Sequence, residues 1–538
     1  MSLASACLWT LARTLVICLV AWPVCAAVER WLRGLAEERR SVALIGLLAP
    51  FCFPELLVGY AFRDLAMFHP QWAELLCSGL LFVRVVPVGA VALLMAPPPE
   101  CDAAAIHCQR MLLARVSHPS QQFDLWRCYW HGPIKRALPA LGLMAVVAFQ
   151  EFELAALLMT TSWTDWFVAA ERVGLARSEM LRQAAWPLVM QLPVLIGVVS
   201  WLGHVGWTPR PSESRAEGGT DGASILRGRG RIVPRWALAY VLMALVVGCV
   251  APLSLLGWRT IEGLSWLARQ RTQQMGLLRE MVISMAVSAC AGLTAWTVCR
   301  RVMTMTQLAP TGQARRGRVG LGWVLVTGLL PGLLGSLLLS LGAVTLFQVS
   351  WLRPLYDTPL PWVLALTVWL LPRAAVLQLW LDAVRPSEAV HLAEMLAGSG
   401  MSRSERQKTP HPSPLPAKPG RGDKAKDKGK TKNEAGTMTP FTSTLCPSTF
   451  NPQRSTLLWR LRDQPQFLAM SLLCYWAYCD LPTAYLLAPT GMAPGLVRLY
   501  NFMHFGRSAA LSAEACLFFG GPIVVVAGAI LVGRVWRR

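Results

Sequence analysis

Eleven apolar stretches, each long enough to cross a bilayer, leave this chain few choices of fold. They run at 8–28, 41–62, 74–96, 138–160, 182–206, 236–257, 277–299, 320–347, 360–382, 465–488 and 512–534. Crossing about 30 Å of hydrocarbon takes roughly 20 helical residues. A span in lipid must satisfy its backbone N–H and C=O groups internally, so helix is the expected form. The fold class read from the sequence is an all-α membrane protein of about 11 transmembrane helices. Charged residues make up 15% of the chain, against about 25% in soluble proteins, and they collect between the apolar runs.

Lys and Arg set the expected orientation. Basic loops hold Arg39 and Arg40; Arg127, Lys135 and Arg136; Arg227, Arg229, Arg231 and Arg235; and Arg300, Arg301, Arg315 and Arg316. The 383–464 segment and the tail Arg537-Arg538 are basic too. If the spans alternate, all of these fall on one side, which the positive-inside rule makes the cytoplasm, with the C-terminus inside. This distribution accounts for the net charge of +21 without a nucleic-acid partner. Residues 1–27 end in Val24-Cys25-Ala26-Ala27, a signal-peptidase-like site, but the stretch before it is nearly uncharged, which favours a retained span.

The fifteen cysteines are scattered, mostly in apolar runs, with no Cys-x-x-Cys and no zinc-like Cys/His spacing. No GxxxxGK[ST] phosphate loop occurs. The sequence therefore offers no catalytic residues, no metal site and no cofactor.

An internal repeat divides the chain. Ala105-Ile106-His107-Cys108-Gln109-Arg110-Met111-Leu112 reads against Ala389-Val390-His391-Leu392-Ala393-Glu394-Met395-Leu396. Leu125-Trp126-Arg127 matches Leu458-Trp459-Arg460, and Glu151 with Leu157-Leu158 matches Asp480 with Leu486-Leu487. Upstream, Phe53-Pro54-Glu55-Leu56-Leu57-Val58-Gly59 sits like Leu330-Pro331-Gly332-Leu333-Leu334-Gly335. The order is kept, so the repeat is read as parallel. The expected organisation is a first half over 1–207 with five spans, a linker over 208–235, and a second half over 236–538 with six. The second half carries an insertion near 403–452, rich in proline (Pro410, Pro412, Pro414, Pro416, Pro419) and lysine (Lys424, Lys426, Lys428, Lys430, Lys432) and expected to be disordered.

Two short helices, 101–114 and 387–398, are expected between the third and fourth spans of each half. Leu392-Ala393-Glu394-Met395-Leu396-Ala397-Gly398 resembles the EAA loop of binding-protein-dependent ABC importer permeases, with Ala393 and Gly398 matching and Leu392 and Glu394 departing from it. In the first half Ala114 stands at the glycine's place. Asp480-Leu481-Pro482, the turn Leu486-Leu487-Ala488-Pro489-Thr490-Gly491 and the run from Val497 to Gly506 resemble the fused two-domain permeases of ferric-iron and thiamine importers. Gln150-Glu151-Phe152-Glu153 resembles the matching first-half segment. The resemblance implies a permease in the bacterial inner membrane. Its partners would be a cytoplasmic ATP-binding subunit, as a homodimer, and a periplasmic substrate-binding protein. ATPase coupling would fall to His107, Met111, Leu112 and Ala114, and to His391, Ala393, Glu394, Leu396 and Gly398. Ferric iron is the substrate implied first, thiamine or another small solute the alternative, and a degenerate permease without transport a further one.

Glu151, Glu153 and Asp480 lie near span ends and are read as lining the translocation path, where acidic groups favour a cationic substrate. The plainer reading makes them hydrated interfacial groups or helix caps. Arg498, Tyr500 and His504 are read at the outer gate, and Trp126, Trp163, Trp166 and Trp459 as an interfacial belt. A lipid-linked glycosyltransferase is disfavoured because the outer loops are short and poor in Asp and Glu. A transporter driven by ion gradients predicts broken helices and paired intramembrane charges, and the sequence displays no clear pair.

Overall fold

The computed structural model describes residues 2–96, 101, 103–115, 119–204, 235–269, 271–307, 328–384, 459, 463–492, 494–504 and 509–535. The 208–234 part of the linker, the 403–452 insertion and the second coupling segment at 387–398 lie outside the described residues. So do His391, Ala393, Glu394, Leu396 and Gly398.

Among the described residues every regular element is helical. In chain order the helices are α1 (Leu3–Gly34), α2 (Glu37–Cys52), α3 (Glu55–Phe68), α4 (Pro70–Met95), α5 (Ala103–Arg115) and α6 (Pro119–Tyr129). A π-turn, Trp130–Ile134, leads into α7 (Lys135–Phe149), followed by α8 (Glu153–Leu157), α9 (Trp163–Arg172), α10 (Arg177–Gln183) and α11 (Ala185–His204). Next come α12 (Arg235–Leu245), α13 (Ala251–Arg269) and α14 (Arg271–Gln307). A 3-10 turn, Pro331–Leu334, precedes α15 (Ser336–Phe347), α16 (Arg353–Tyr356) and α17 (Leu360–Val384). The last are α18 (Gln464–Tyr478), α19 (Leu481–Leu487), α20 (Gly495–His504) and α21 (Ala509–Val535).

Eight helical stretches among the described residues are long and apolar enough to span a membrane, and nine if α2 and α3, bent by 67°, count as one broken span. The chain is a multi-pass membrane protein. Four of the eleven apolar stretches are interrupted. The 41–62 stretch breaks at Phe53-Pro54, between α2 and α3. The described part of 320–347 turns at Pro331 and continues as the 12-residue α15. The 465–488 stretch breaks at Cys479-Asp480, between α18 and α19. The 138–160 stretch enters a long helical run, Gln122–Leu157, that turns at Gln150-Glu151. Proline explains part of this, since Pro54 and Pro331 cannot donate to a preceding turn. Gly335, at φ +90°, supplies a backbone conformation that ends the 3-10 turn and starts α15.

The described chain falls into two compact units. The first, Met1–Ala383 with Leu468–Ala529, contains the long spans and all four breaks. Its apolar interior forms one cluster around α1, α4 and α7, a second around α3, α20 and α21, and a third around α14, α17 and α18. Tight contacts rest on small residues. A Cβ at Gly89 of α4 would press on Cys25 of α1 at 2.7 Å and would collide with Met144 of α7. In the second unit, Val384–Phe467 with Ile530–Arg538, the Trp459 ring lies 6.2 Å from that of Phe467.

Candidate functional site: four helix breaks around buried charge

A break inside a membrane span frees carbonyl and amide groups that lipid cannot satisfy. Here side chains take them up. At the first break, Phe53 N–H donates to Ala49 C=O and closes α2. Beyond it, Arg84 donates to the carbonyls of Phe53 at 3.2 Å and Phe51 at 3.4 Å, and pairs with Glu55. Arg84 lies near the middle of α4. At the second break, the Trp163 indole N–H donates to Phe149 C=O at 2.7 Å and the Thr164 hydroxyl to Glu151 C=O at 2.7 Å. The Glu151 carboxylate accepts from Leu154 N–H at 2.7 Å and so caps α8.

The third and second breaks touch. Gln150 Nε2 donates to Leu333 C=O at 2.6 Å and to Gln191 Oε1 at 2.7 Å. A Cβ on Gly335 would come to 2.9 Å from the Gln150 amide. A Cβ on Gly332 would meet Pro372 of α17 at 2.5 Å, so the third break lies against α17 much as the first lies against α4. Next to Pro372, near the middle of α17, Arg373 stacks on Trp369 with 3.8 Å from guanidinium carbon to ring centroid, and donates to Trp369 C=O at 2.9 Å. At the fourth break, Asp480 caps α19 by accepting from Thr483 N–H at 3.1 Å, with Ser336 and Arg373 acting on the same carboxylate.

The carboxyl groups of the breaks feel one another. Glu153 interacts with Glu55, Glu151, Asp480 and Arg84, and Arg373 interacts with Asp480 and Glu55. The structure thus gathers Glu151, Glu153 and Asp480, all buried. Glu151 and Asp480 act as helix caps, as the plainer reading allowed, but away from water rather than hydrated at an interface. Replacing Asp480 with alanine removes this cap and is expected to cost about 1 kcal/mol, with asparagine retaining most of it. Thermal unfolding in detergent measures both.

The residues read at the outer gate divide. Tyr500 is buried, its ring 5.9 Å from Phe152 at the second break and 6.0 Å from the Arg172 guanidinium. On α9, outside the long spans, burial raises the Asp165 carboxyl above its usual value while Arg172 opposes the shift. Arg498 bonds Glu280 of α14 at 3.0 Å and Glu514 of α21 at 3.2 Å, and so fastens α20 to both helices. His504 ends α20, and its side chain is outside the described residues. Trp163, read as interfacial, is 1% exposed because its indole serves the second break.

Charged pairs, of which the sequence displayed none clearly, do form on the apolar helices. Besides Arg84 with Glu55, Arg13 pairs with Glu74 at 3.1 Å, and Glu29 pairs with both Arg136 and Arg33. Arg84 and Arg373 were not singled out in the sequence. One cation in an apolar run barely moves a hydropathy average, although its central position in a span is itself a signal.

The first coupling segment is α5, which packs against α6 as a hairpin, with Arg110 hydrogen-bonded to the Tyr129 hydroxyl. His107, Met111 and Leu112 are exposed on it. Ala114 lies in α5, and its side chain is not described. Beside the hairpin a groove of about 420 Å³ is lined by Phe123, Trp126, Arg127, Trp130 and His131.

Compared with known protein families, curated proteins and solved structures, the chain matches none.

Proposed function

We propose that the protein is the membrane permease of an ABC importer, its translocation path running through the four helix breaks. The observation that carries this reading is where the resembling motifs fall. Gln150-Glu151 and Asp480-Leu481-Pro482, which carry the resemblance, lie at helix breaks, as do the repeat copies Phe53-Pro54-Glu55 and Leu330-Pro331, and Glu55, Glu151, Glu153 and Asp480 interact across them. In this reading the two parallel halves rock about the breaks, and α5 passes the motion of a cytoplasmic ATP-binding homodimer through exposed Met111 and Leu112. A periplasmic binding protein delivers the solute. Ferric iron is the first candidate and thiamine the alternative, both from resemblance alone. The orientation has the C-terminus in the cytoplasm of a bacterial inner membrane.

A second reading is favoured by one observation: broken helices together with paired intramembrane charges also suit a transporter driven by an ion gradient. Purification from the native membrane separates the two. An ATPase subunit is expected to accompany the protein, and its absence would leave the gradient-driven reading. Uptake of labelled ferric iron should fall on deletion of the gene. Glu151→Gln and Asp480→Asn should lower it further than any fall in protein amount, and full activity in both would remove these residues from the path.

A further inference from the structure

The groove beside the α5–α6 hairpin has no part in the breaks. Phe123, Trp126 and Trp130 are 65%, 56% and 45% exposed, although α6 lies outside the apolar stretch that starts at 138. A run of exposed large apolar side chains marks an interaction site. Their spacing of three and four residues puts the three rings on one face of the helix. Tyr129, on the opposite side, is half-buried and accepts from Arg110 of α5. The exposed Arg127 and the half-buried His131 line the groove with the rings.

This face stands at a membrane boundary. Arg136 donates to Leu93 C=O at 2.9 Å and pairs with Glu29, which Arg33 also pairs. α1 ends at Gly34 and α4 at Met95, so this cluster marks the level where α1, α4 and α7 leave the hydrocarbon. Trp130 precedes Arg136 by six residues, at most about 9 Å beyond that level, against roughly 5–8 Å of headgroup on each side of a bilayer. A straight helix would carry Phe123 about 20 Å out into water. The helix is not straight. Gly132 departs from helical geometry at φ −97° and ψ −109°, and a Cβ there would stand 2.7 Å from the Cys101 carbonyl. The kink sets α6 off the axis of α7.

Charge selects the occupant. The two helices of the hairpin carry Arg110, Arg115 and Arg127 against one acid, Asp124. The Arg127 guanidinium has no hydrogen bond or ion pair among the described residues. His131 Nδ1 lies 3.0 Å from Arg127 C=O, which leaves Nε2 for a ligand. A guanidinium forks onto phosphate oxygens, and indole rings settle where hydrocarbon meets headgroup. Their combination on one face suits a phosphate with acyl chains attached.

We propose that this face of α6 binds an anionic phospholipid, its phosphate on Arg127 and His131 and its acyl chains along Phe123, Trp126 and Trp130. The site requires only a multi-pass membrane protein, so it goes beyond the importer reading and does not rest on it.

Native mass spectrometry of the full-length protein, offered equal amounts of phosphatidylglycerol and phosphatidylcholine in detergent, tests this. The unsubstituted protein should retain phosphatidylglycerol in preference. Arg127→Gln should weaken that retention roughly tenfold, the scale of a charge-assisted hydrogen bond. Trp126→Ala/Trp130→Ala should weaken it too. Arg39→Gln is the control, since Arg39 is exposed in the first turn of α2, and should leave retention unchanged. No preference for phosphatidylglycerol, or equal losses in Arg127→Gln and Arg39→Gln, overturns the proposal. So does an Arg127→Gln protein that keeps its lipid but sheds an accompanying subunit or a second copy, because the face would then be a protein interface. The substituted side chains are exposed, so the variants are expected to fold. Lipid retention is read without any ATPase, so its failure and that of the importer reading are separate results.

Discussion

Arg84→Met is expected to destabilise the protein by up to about 3 kcal/mol, the lower end of the cost of stripping one partner from a buried ion pair, because the Arg84 side chain is buried while Glu55 is partly exposed. The guanidinium serves three acceptors, the carbonyls of Phe51 and Phe53 and the Glu55 carboxylate. Methionine fills similar space and donates to none of them. The carbonyls at the end of α2 then face lipid or protein without a donor, and Glu55 loses its cation. Thermal unfolding of the detergent-solubilised protein, followed by tryptophan fluorescence, reads the loss. The double variant Arg84→Met/Glu55→Met should recover much of it, because removing both partners leaves no orphan charge. Arg84→Lys should recover less, since an ammonium lacks the fork that reaches three acceptors at once. An Arg84→Met protein as stable as the parent would mean that the first break is held by something else.

Gly335→Ala is expected to be strongly damaging for a single added methyl group. Gly335 sits at φ +90° and ψ 154°, a region open to glycine and closed to other L residues, and forcing a side chain there costs roughly 1–3 kcal/mol. The new Cβ would also stand 2.9 Å from the Gln150 amide, whose bonds to Leu333 and Gln191 join the second and third breaks. Transport per molecule should therefore fall along with stability. Gly342→Ala, in the same helix α15, is the control: nothing lies within 4 Å of its added Cβ, and alanine is the better helix former by about 0.8–1.0 kcal/mol. Equal melting temperatures for the two variants would show that the backbone at Gly335 tolerates a side chain.

Much of the membrane architecture was readable from apolar run lengths, because a span of lipid sets one dimension and one hydrogen-bonding rule. The interruptions were not. A hydropathy window averages over Phe53-Pro54 and Cys479-Asp480, and their flanks are apolar enough to hide them. The residues themselves were visible as matched motifs, yet matching does not say that a helix stops there. Arg84 and Glu55 were hidden differently. They are 29 residues apart, and only the folding of α4 back along α2 and α3 brings them together. Trp163 went astray because amphipathic side chains near span ends suit a water boundary, but it was needed inside, by the Phe149 carbonyl.

The broken segments also bear on how the protein is made. At 1.5 Å per residue, the 12 residues of α15 reach about 18 Å, short of roughly 30 Å of hydrocarbon. It cannot enter the bilayer as an independent, self-sufficient segment. It must be handed over together with the neighbours that close its ends, among them Gln150 for the turn before it. Biogenesis is then two-staged: the long helices settle first, and α15 is threaded in against them, late and only if its partners are already in place.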